Sequence, residues 1–207
     1  MISESTRFYR ETLPAQWNQS LEEQIDRSRS GDEQSRILED MRRVDASIQV
    51  VVDGAGGGRH ALNVSAGRME AADAPAHPPF LTIRHEAGDL EALRREAGDS
   101  TLAFLGGLAG LAGEMRLTTS RIENLADLAG SIAIEIEGDP GFRVWLHFGK
   151  EMLPDAPACT IRVDSDTYRE LRRGELPPHQ AFLSGRVRVE GDLDLGIQLA
   201  LAALAPD

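Results

Sequence analysis

The sequence is poor in residues that would tie the chain to a secretory or membrane setting. Among its 207 residues there is one cysteine, Cys159, so an internal disulfide framework is excluded. No apolar run approaches the roughly 20 residues that span a bilayer. Residues 1–17 carry charges without an apolar core, which is not the pattern of a signal peptide. We therefore expect a cytoplasmic protein without stable membrane insertion.

Basic charge is also scarce. The 22 Lys and Arg residues are outnumbered by 34 Asp and Glu residues, which leaves a formal net charge of −12. Up to Gly130 there are 14 basic and 21 acidic residues (−7), and after it 8 and 13 (−5). Because neither half has a basic excess, nucleic acid is not an expected partner. Attraction to anionic lipid headgroups has no support either.

Patterns typical of catalytic, cofactor and metal sites are missing. No two histidines have the i, i+4 spacing of helical metal ligands, so we predict no metal site. The glycine-rich residues 54–58 lie between two predicted strands, with no lysine and no following helix, which indicates a hairpin loop and not a phosphate-binding loop. We predict no catalytic residues and no cofactor. The five histidines are His60, His77, His85, His147 and His179.

What the sequence does contain is a long internal repeat. Residues 81–117 and 159–195 align without a gap at an offset of 78, with 12 identities in 37 positions. The identities form blocks: Thr-Ile-Arg at 82–84 recurs at 160–162, and Ala-Phe-Leu at 103–105 recurs at 181–183. A repeat of this length, with its own turns, indicates a duplicated folding unit.

The repeat divides the chain into three parts. We predict an N-terminal extension at 1–32, a first unit at 33–118 and a second unit at 119–207. A helix at 119–130 closes the first unit and opens the second, so the two units should be in contact. The extension is polar and uneven, which predicts one or two short helices with a loose start.

Alternating side chains predict the strands and the fold class. In the second unit Ile132, Ile134 and Ile136 alternate with Ala or Glu, and a similar alternation follows the turn after Glu137. Such strands leave one sheet face in water, so the helices must cover the other. The predicted class is α+β: two tandem two-layer units, each a mainly antiparallel sheet with helices on one face.

The end of the second unit carries a family resemblance. Residues 181–193 read Ala-Phe-Leu-Ser-Gly-Arg-Val-Arg-Val-Glu-Gly-Asp-Leu, and an apolar helix follows. The order resembles the signature of the sterol carrier protein type 2 family: Ala-Phe, a small residue and Gly, an alternating strand, Gly-Asp-Leu and a closing helix. The first unit matches more weakly, at 103–107 and 113–115. The resemblance covers about residues 33–205 and indicates a tandem duplication.

The resemblance implies a five-stranded sheet with helices on one face and an apolar tunnel for a sterol, an isoprenoid or a fatty acyl chain. It brings no catalytic residue, cofactor or metal. The tunnel would be lined by inward strand positions and by the closing helix. The alternative at each position is a packed core residue that touches no ligand. The ligand-binding candidates are Ile134, Val144, Leu146, Phe148, Ile161, Phe182, Val187, Val189, Leu193, Ile197 and Leu201.

Two segments depart from a simple repeat. Residues 107–113 are apolar on both faces of a predicted strand, so we expect them to pack against the second unit or the N-terminal helices. The closing helix at 193–205 is apolar nearly all round, which indicates burial. We interpret it as a lid on the tunnel, with dimerisation through it as an alternative. The second unit is therefore the better candidate for ligand binding.

The leading hypothesis is a non-enzymatic protein that binds or transfers an apolar lipid. One alternative is a scaffold or accessory protein of a biosynthetic complex, docked on a partner enzyme, which a large exposed apolar surface would favour. The other is an atypical enzyme that binds an apolar substrate and acts on it through a polar residue such as His85 or Tyr168. Polar side chains that converge in the interior would favour that alternative.

Overall fold

The computed structural model of the chain describes residues 3–28, 32–97, 118–139, 141–149 and 152–204. The predicted strand at 107–113 lies outside these residues. In the described residues the helices are α1 (Glu4–Arg7), α2 (Leu13–Ser28), α3 (Asp32–Arg43), α4 (Leu90–Ala97), α5 (Thr119–Ala126), α6 (Ser165–Arg172), α7 (Pro178–Leu183) and α8 (Leu193–Leu204), with a π-helical turn at Phe8–Thr12 and a 3-10 turn at Ala87–Asp89. The strands are β1 (Asp45–Asp53), β2 (Gly58–Ser65), β3 (Arg68–Ala72), β4 (Leu81–Glu86), β5 (Ser131–Glu137), β6 (Phe142–Phe148), β7 (Cys159–Asp164) and β8 (Val187–Gly191).

All of these strands belong to one mixed sheet, in the order β3-β2-β1-β4-β6-β5-β7-β8. The pairs β1–β4 and β5–β7 are parallel, and the other neighbouring pairs are antiparallel. The predicted α+β class is confirmed. The strands of the two predicted units form one continuous sheet and not two separate ones.

The same strand pairing occurs twice along this sheet. In the antiparallel hairpins, Val50 faces His60 between β1 and β2, and Ile134 faces Val144 between β5 and β6. In the parallel pairs, β1 and β4 match Val52 with His85, while β5 and β7 match Ile136 with Val163. Positions in β1 and β2 therefore correspond to positions 84 residues later, and those in β4 to positions 78 residues later.

The two halves meet where β4 pairs with β6. Ile83 lies opposite Leu146, and Arg84 lies opposite Trp145, with its guanidinium 5.4 Å from the centre of the indole ring. In the first half, β3 lies in the connection between β2 and β4 and pairs with the outer edge of β2. In the second half, β4 takes the corresponding place beside β6. β3 therefore flanks the hairpin of the first half, and β4 flanks the hairpin of the second half.

The core lies between one face of the sheet and the helices. The inward side chains of β1 and β5, which include Ile48, Val50, Ile132 and Ile134, form a single apolar cluster with buried helix residues such as Leu125. A smaller cluster of Leu21, Leu38 and Met41 joins α2 to α3. The alternation of apolar and polar residues explains this division, because successive side chains of a strand point to opposite faces.

The N-terminal segment belongs to the main core, which differs from the loose start expected from its polar sequence. Phe8, Tyr9 and Leu13 are all buried in the cluster beneath the sheet. A π-helical turn places them there, and the N–H of Leu13 donates to the carbonyl of Phe8. The turn precedes Pro14, whose ring would collide with the carbonyl four residues earlier in a regular α-helix. The wider π turn avoids this collision.

Side chains of α2 tie the N-terminal segment to the edge strand β3. The Asn18 amide donates to the carbonyl of Met69 at 3.0 Å, and its oxygen accepts from the N–H of Met69 at 2.9 Å. The Trp17 indole N–H donates to the carbonyl of Gly67 at 2.9 Å. These bonds satisfy backbone groups of Met69 and Gly67 at the edge of the sheet.

Candidate functional site

The interior of the second unit contains most of the predicted ligand-binding residues. Five of them lie on the inward face of β5, β6 and β7 and are buried in the core: Ile134, Val144, Leu146, Phe148 and Ile161. Val187 and Val189, on the edge strand β8, are half-buried against the same cluster. The structure therefore brings these seven residues together at one apolar surface. Whether they touch a ligand stays a prediction.

The closing helix presents a different face from the one expected. Leu193 and Ile197 are 44% and 48% exposed, whereas Leu195 and Leu199 are buried against the sheet. The side chain of Leu201 lies outside the described part of the structure. The start of α8 sets this rotation, because the Asp192 carboxylate accepts a hydrogen bond from the N–H of Leu195 at 3.1 Å.

The helix before β8 shows a similar difference. Phe182, which we expected to point inward, is 45% exposed, and its neighbour Ala181 is fully buried instead. The chain turns from α7 toward β8 next to Ala181. The Arg186 N–H donates to the carbonyl of Ala181 at 2.9 Å in this turn. The small side chain of Ala181 allows this turn to pack closely.

Small residues also bring α8 close to the sheet. A Cβ added at Gly196 would lie 3.4 Å from the Cys159 sulfur and 3.4 Å from a Val189 methyl group. Cys159 is fully buried, and burial raises the pKa of its thiol. The closing helix thus comes close to β7 and β8 at Gly196 and also packs against α5, while its Leu195 and Leu199 belong to the buried core.

Charged side chains on the outer face of the sheet bind the strands of the second half together. Arg162 donates to Glu135 on β5 at 2.6 Å and also pairs with Glu190 on β8. Arg143 on β6 lies 3.2 Å from the same Glu135 carboxylate. These pairs raise the pKa of the Arg162 guanidinium. The apolar interior is thus on the opposite side of the sheet from a charged face.

An ion pair between a buried carboxylate and a partly exposed arginine joins α4 to α6. The Glu96 carboxylate in α4 is only 5% exposed and accepts two hydrogen bonds from the Arg169 guanidinium in α6, at 2.7 and 3.1 Å. These bonds hold the pKa of Glu96 below its usual value. The pair orients α4 against α6, and a two-pronged contact between arginine and carboxylate is geometrically specific.

A cluster of polar rings lies beneath the first half of the sheet, and two of them stand where the second half has valines. Tyr9, His60 and His85 are all buried. The Tyr9 hydroxyl lies 2.6 Å from Nε2 of His85, and Nδ1 of His85 lies 2.7 Å from the carbonyl of Glu86. Because a carbonyl only accepts, Nδ1 carries the proton in the neutral ring, and Nε2 accepts from the Tyr9 hydroxyl.

His60 lies on the other side of Tyr9. The two rings stack, with centroids 5.6 Å apart and planes inclined by 21°. Of these three residues, only His85 was a functional candidate from the sequence. Strand parity would have placed His60 on the inward face, because it lies two residues before Leu62 and four before Val64 on β2.

The enzyme alternative named Tyr168 as well as His85. Tyr168 lies in α6, where it is fully buried and packs edge-on against Phe142 at 6.3 Å between centroids. Burial raises the pKa of Tyr168 and of Tyr9, so neither phenol ionises near neutral pH. The described residues contain no group of three or more His, Cys, Asp or Glu side chains placed to hold a metal ion.

The second half of the sheet and its helices thus enclose an apolar interior, as in an α+β fold. Residues 116–203 match the SCP-2 sterol transfer family. The predicted resemblance to this family is confirmed for that part of the chain. The match supports binding or transfer of sterols or other lipids. Among the described helices, none has the length and apolar character needed to cross a membrane.

Solved structures with some similarity are sterol carrier proteins. Sterol Carrier Protein 2 Like 2 from Aedes aegypti is 22% identical, with 35% of this chain and 72% of that chain covered, at a TM-score of 0.30. Sterol Carrier Protein 2 from Yarrowia lipolytica, in its apo form, is 16% identical over 34% and 69% of the two chains, at 0.28. Palmitated SCP2L2 from Aedes aegypti, solved by NMR, is 18% identical over 42% and 93%, at 0.32. No curated protein matches the chain. The family assignment rests on residues 116–203 and not on these TM-scores.

Proposed function

We propose that the second unit binds an apolar lipid between its sheet and the closing helix α8, and releases it to an acceptor. The family match over residues 116–203 carries this proposal. The ligand is a sterol, an isoprenoid or a fatty acyl chain. No catalytic step is needed, because burial of apolar surface alone supplies the binding free energy.

The proposed ligand lies against Ile134, Val144 and Ile161 on the sheet and reaches the half-buried Val187 and Val189 on β8. Each buried CH₂ contributes about 0.8 kcal/mol. A chain of about ten carbons therefore gives an upper limit near 8 kcal/mol, before the costs of association. An affinity in the micromolar range or weaker follows, which suits a protein that must also release its ligand.

Displacement of α8 offers a route of entry. On α8, Leu195 and Leu199 are buried, while Leu193 and Ile197 are half-exposed. Phe182 in α7 is also half-exposed. When α8 moves away from β7 and β8, the buried Leu195 and Leu199 and the half-buried Val189 become available to a ligand.

Two tryptophan variants on one strand test this proposal. Val189→Trp places a large ring on the inward face of β8, where it fills space between the sheet and α8. Arg188→Trp places the same ring on the outward face one residue earlier, and serves as the matched control. We expect Val189→Trp to weaken binding of a fluorescent fatty acid at least tenfold, and Arg188→Trp to leave it unchanged.

Displacement titration and native mass spectrometry measure the two variants. Equal affinity in both variants, with unfolding profiles like that of the parent chain, contradicts a site beneath α8. Absence of any bound lipid in the parent chain contradicts lipid binding itself.

A second candidate function has one observation in its favour. Leu183 is 81% exposed, and Phe182, Leu193 and Ile197 on the same two helices are half-exposed. Exposed apolar side chains of this kind are typical of protein-binding surfaces. We propose a second copy of the chain as the partner. Sedimentation velocity at rising concentration tests it: self-association should occur and should be lost in Leu183→Gln/Ile197→Gln, and a monomer at all concentrations contradicts it.

A further inference from the structure

The proposed lipid site beneath α8 does not involve His60, whose buried ring lacks a described hydrogen-bond partner. Its side chain is 4% exposed on the inward face of β2. Neither ring nitrogen has a hydrogen-bond partner in the part of the chain that the structure describes. A buried polar group without a partner costs about 1–3 kcal/mol, and native structures seldom leave one unsatisfied. A group other than the described residues is therefore expected to bond to this ring.

The neighbouring rings do not supply that bond. Tyr9 presents its face to His60, and its hydroxyl bonds to His85. Both nitrogens of His85 are in use, one with Tyr9 and the other with the carbonyl of Glu86. Both ring nitrogens of His85 thus have hydrogen-bond partners, whereas those of His60 have none among the described residues.

Because Gly58 has no side chain, there is room for one beside the ring of His60. Gly58 precedes His60 by two residues on the same strand, so both positions point to the same face. A Cβ at Gly58 would lie 3.7 Å from Nε2 of His60 and 3.8 Å from Cε1, in ordinary contact. Gly58 itself is exposed. Nε2 therefore faces a place at the hairpin end of the sheet that a side chain would otherwise fill.

The second unit shows what normally fills this place. By the shared register, Gly58 opposite Val52 corresponds to Phe142 opposite Ile136. Phe142 is buried and packs against Tyr168. His60 corresponds to Val144, and His85 to Val163. The first unit thus has a glycine and two histidines where the second has a phenylalanine and two valines.

The chemistry of the ring points to a neutral head group. Burial, followed by the charges of Arg10 and His85, lowers the pKa of His60, so the ring is neutral at pH 7. A neutral imidazole has one donor and one acceptor nitrogen. A hydroxyl group also donates and accepts, and its desolvation costs far less than that of a carboxylate. The side chains paired with His60 and Gly58 on β1, Val50 and Val52, are apolar.

We propose that the first unit holds a second ligand site, in which Nε2 of His60 hydrogen-bonds the hydroxyl group of a long-chain or polycyclic alcohol seated over Gly58. This site extends the proposed lipid-binding function to a different place in the molecule. The ligand's hydroxyl takes the hydrogen bond that the protein leaves open, and its apolar part lies where Phe142 lies in the second unit.

Gly58→Ala is the central variant in the test, because its methyl group fills the place beside Nε2 without strain. His60→Val introduces the residue of the second unit and removes the hydrogen bond. Gly88→Ala is the matched control, since a Cβ there meets nothing within 4 Å. The probes are 1-decanol, decanoic acid and decyl methyl ether, added to the full chain. The readouts are the ring ¹⁵N signals of His60 and the number of alcohols bound in native mass spectra.

We expect 1-decanol to shift the His60 ring signals, and its affinity to fall at least tenfold in both Gly58→Ala and His60→Val but not in Gly88→Ala. A His60 ring that does not respond to decanol is bonded to water only, and this overturns the proposal. A response to decanoic acid alone overturns the hydroxyl assignment, and an equal response to the ether overturns the hydrogen bond. Undiminished binding in both variants also overturns it.

The same experiment separates this site from the one under α8. Loss of one bound decanol in Val189→Trp, with none lost in the His60 and Gly58 variants, leaves the proposed function intact and overturns the second site. Loss in the His60 and Gly58 variants, with no effect of Val189→Trp, supports the second site and contradicts the one under α8.

Discussion

The two halves of the sheet have the same strand pairing but different interiors. At three corresponding inward positions the first half has a glycine or a histidine where the second has an apolar side chain. Pairing depends on backbone hydrogen bonds and on alternation, which tolerate such exchanges as long as the inward face stays buried. The interior depends on individual side chains. The corresponding pairs are Gly58 and Phe142, His60 and Val144, and His85 and Val163.

The covers of the two halves also come from different parts of the chain. Phe8, Tyr9 and Leu13, from the N-terminal segment, are buried beneath the first half. In the second half, Leu195 and Leu199 of the closing helix take part in the cover. A repeated sheet can therefore be closed by unrelated segments, and the difference leaves each half with an interior of its own chemistry.

The largest expected loss of stability follows from deleting a buried ring beneath either half of the sheet. Tyr9→Ala deletes a fully buried ring and should lower the free energy of unfolding by about 3–5 kcal/mol. Tyr168→Ala deletes an equally buried ring in the second half and should cost about as much. Chemical denaturation of both variants compares the two interiors directly. A cost below about 1 kcal/mol for Tyr9→Ala alone would show that the N-terminal segment is peripheral to the core.

The next effect concerns the contact between the halves. Glu96→Gln removes a charge that accepts two hydrogen bonds from Arg169 and should cost about 1–2 kcal/mol. Arg95→Gln is the control, because Arg95 is 46% exposed and its pair with Glu96 contributes little. If urea unfolding gives the same midpoint for both variants, the ion pair does not couple α4 to α6.

A smaller effect tests the equivalence of the two hairpins. A Cβ at Gly57 would lie 2.1 Å from the carbonyl oxygen of Val52, and a Cβ at Gly141 would lie 2.5 Å from that of Ile136. Gly57→Ala and Gly141→Ala should therefore each destabilise the chain by more than about 1 kcal/mol. Thermal unfolding measures both. A clear cost at one site and none at the other would contradict a shared turn geometry.

Much of the fold could be predicted because alternation is a local signal. The β5–β6 hairpin and the strand β7 lie where the pattern placed them. The joining of β4 to β6 could not be predicted, because it depends on which strand edges remain unpaired and not on residues within either strand. The strand β3 was overlooked because it has one fully buried side chain, Met69. Its pairing is supported from elsewhere in the chain, by Asn18.

The candidate site shows the same limit. Inward positions on β5, β6 and β7 followed from parity. The rotation of α8 did not, because a helix that is apolar nearly all round presents no preferred face. The Asp192 cap and the close approach at Gly196 select Leu195 and Leu199. The Tyr9–His85 bond joins residues 76 positions apart, and no local pattern connects them.

The smallest expected effect is the loss of stability at low pH, and it comes from two histidines in the first half. The pKa values of His60 and His85 are both lowered, mainly by burial. The folded chain therefore binds fewer protons than the unfolded chain below pH 6.5, so stability falls as the pH drops through that range. It levels off once the folded rings are protonated. Each unit of pKa lowering corresponds to about 1.4 kcal/mol.

Urea unfolding between pH 7.5 and 5.5 measures this loss, and His60→Val/His85→Val should remove it, since valine stands at both corresponding places in the second half. The charges that act on the two rings are Arg10, which disfavours protonation of His60, and Asp53, Glu86 and Asp89, which favour protonation of His85 but do not outweigh burial. Glu96 has a lowered pKa, so its contribution is lost only as the pH falls below about 4.5, outside this window. A decline of equal size in the parent chain and the double variant would place the titrating groups elsewhere. A decline confined to the parent chain would locate it in the interior of the first half.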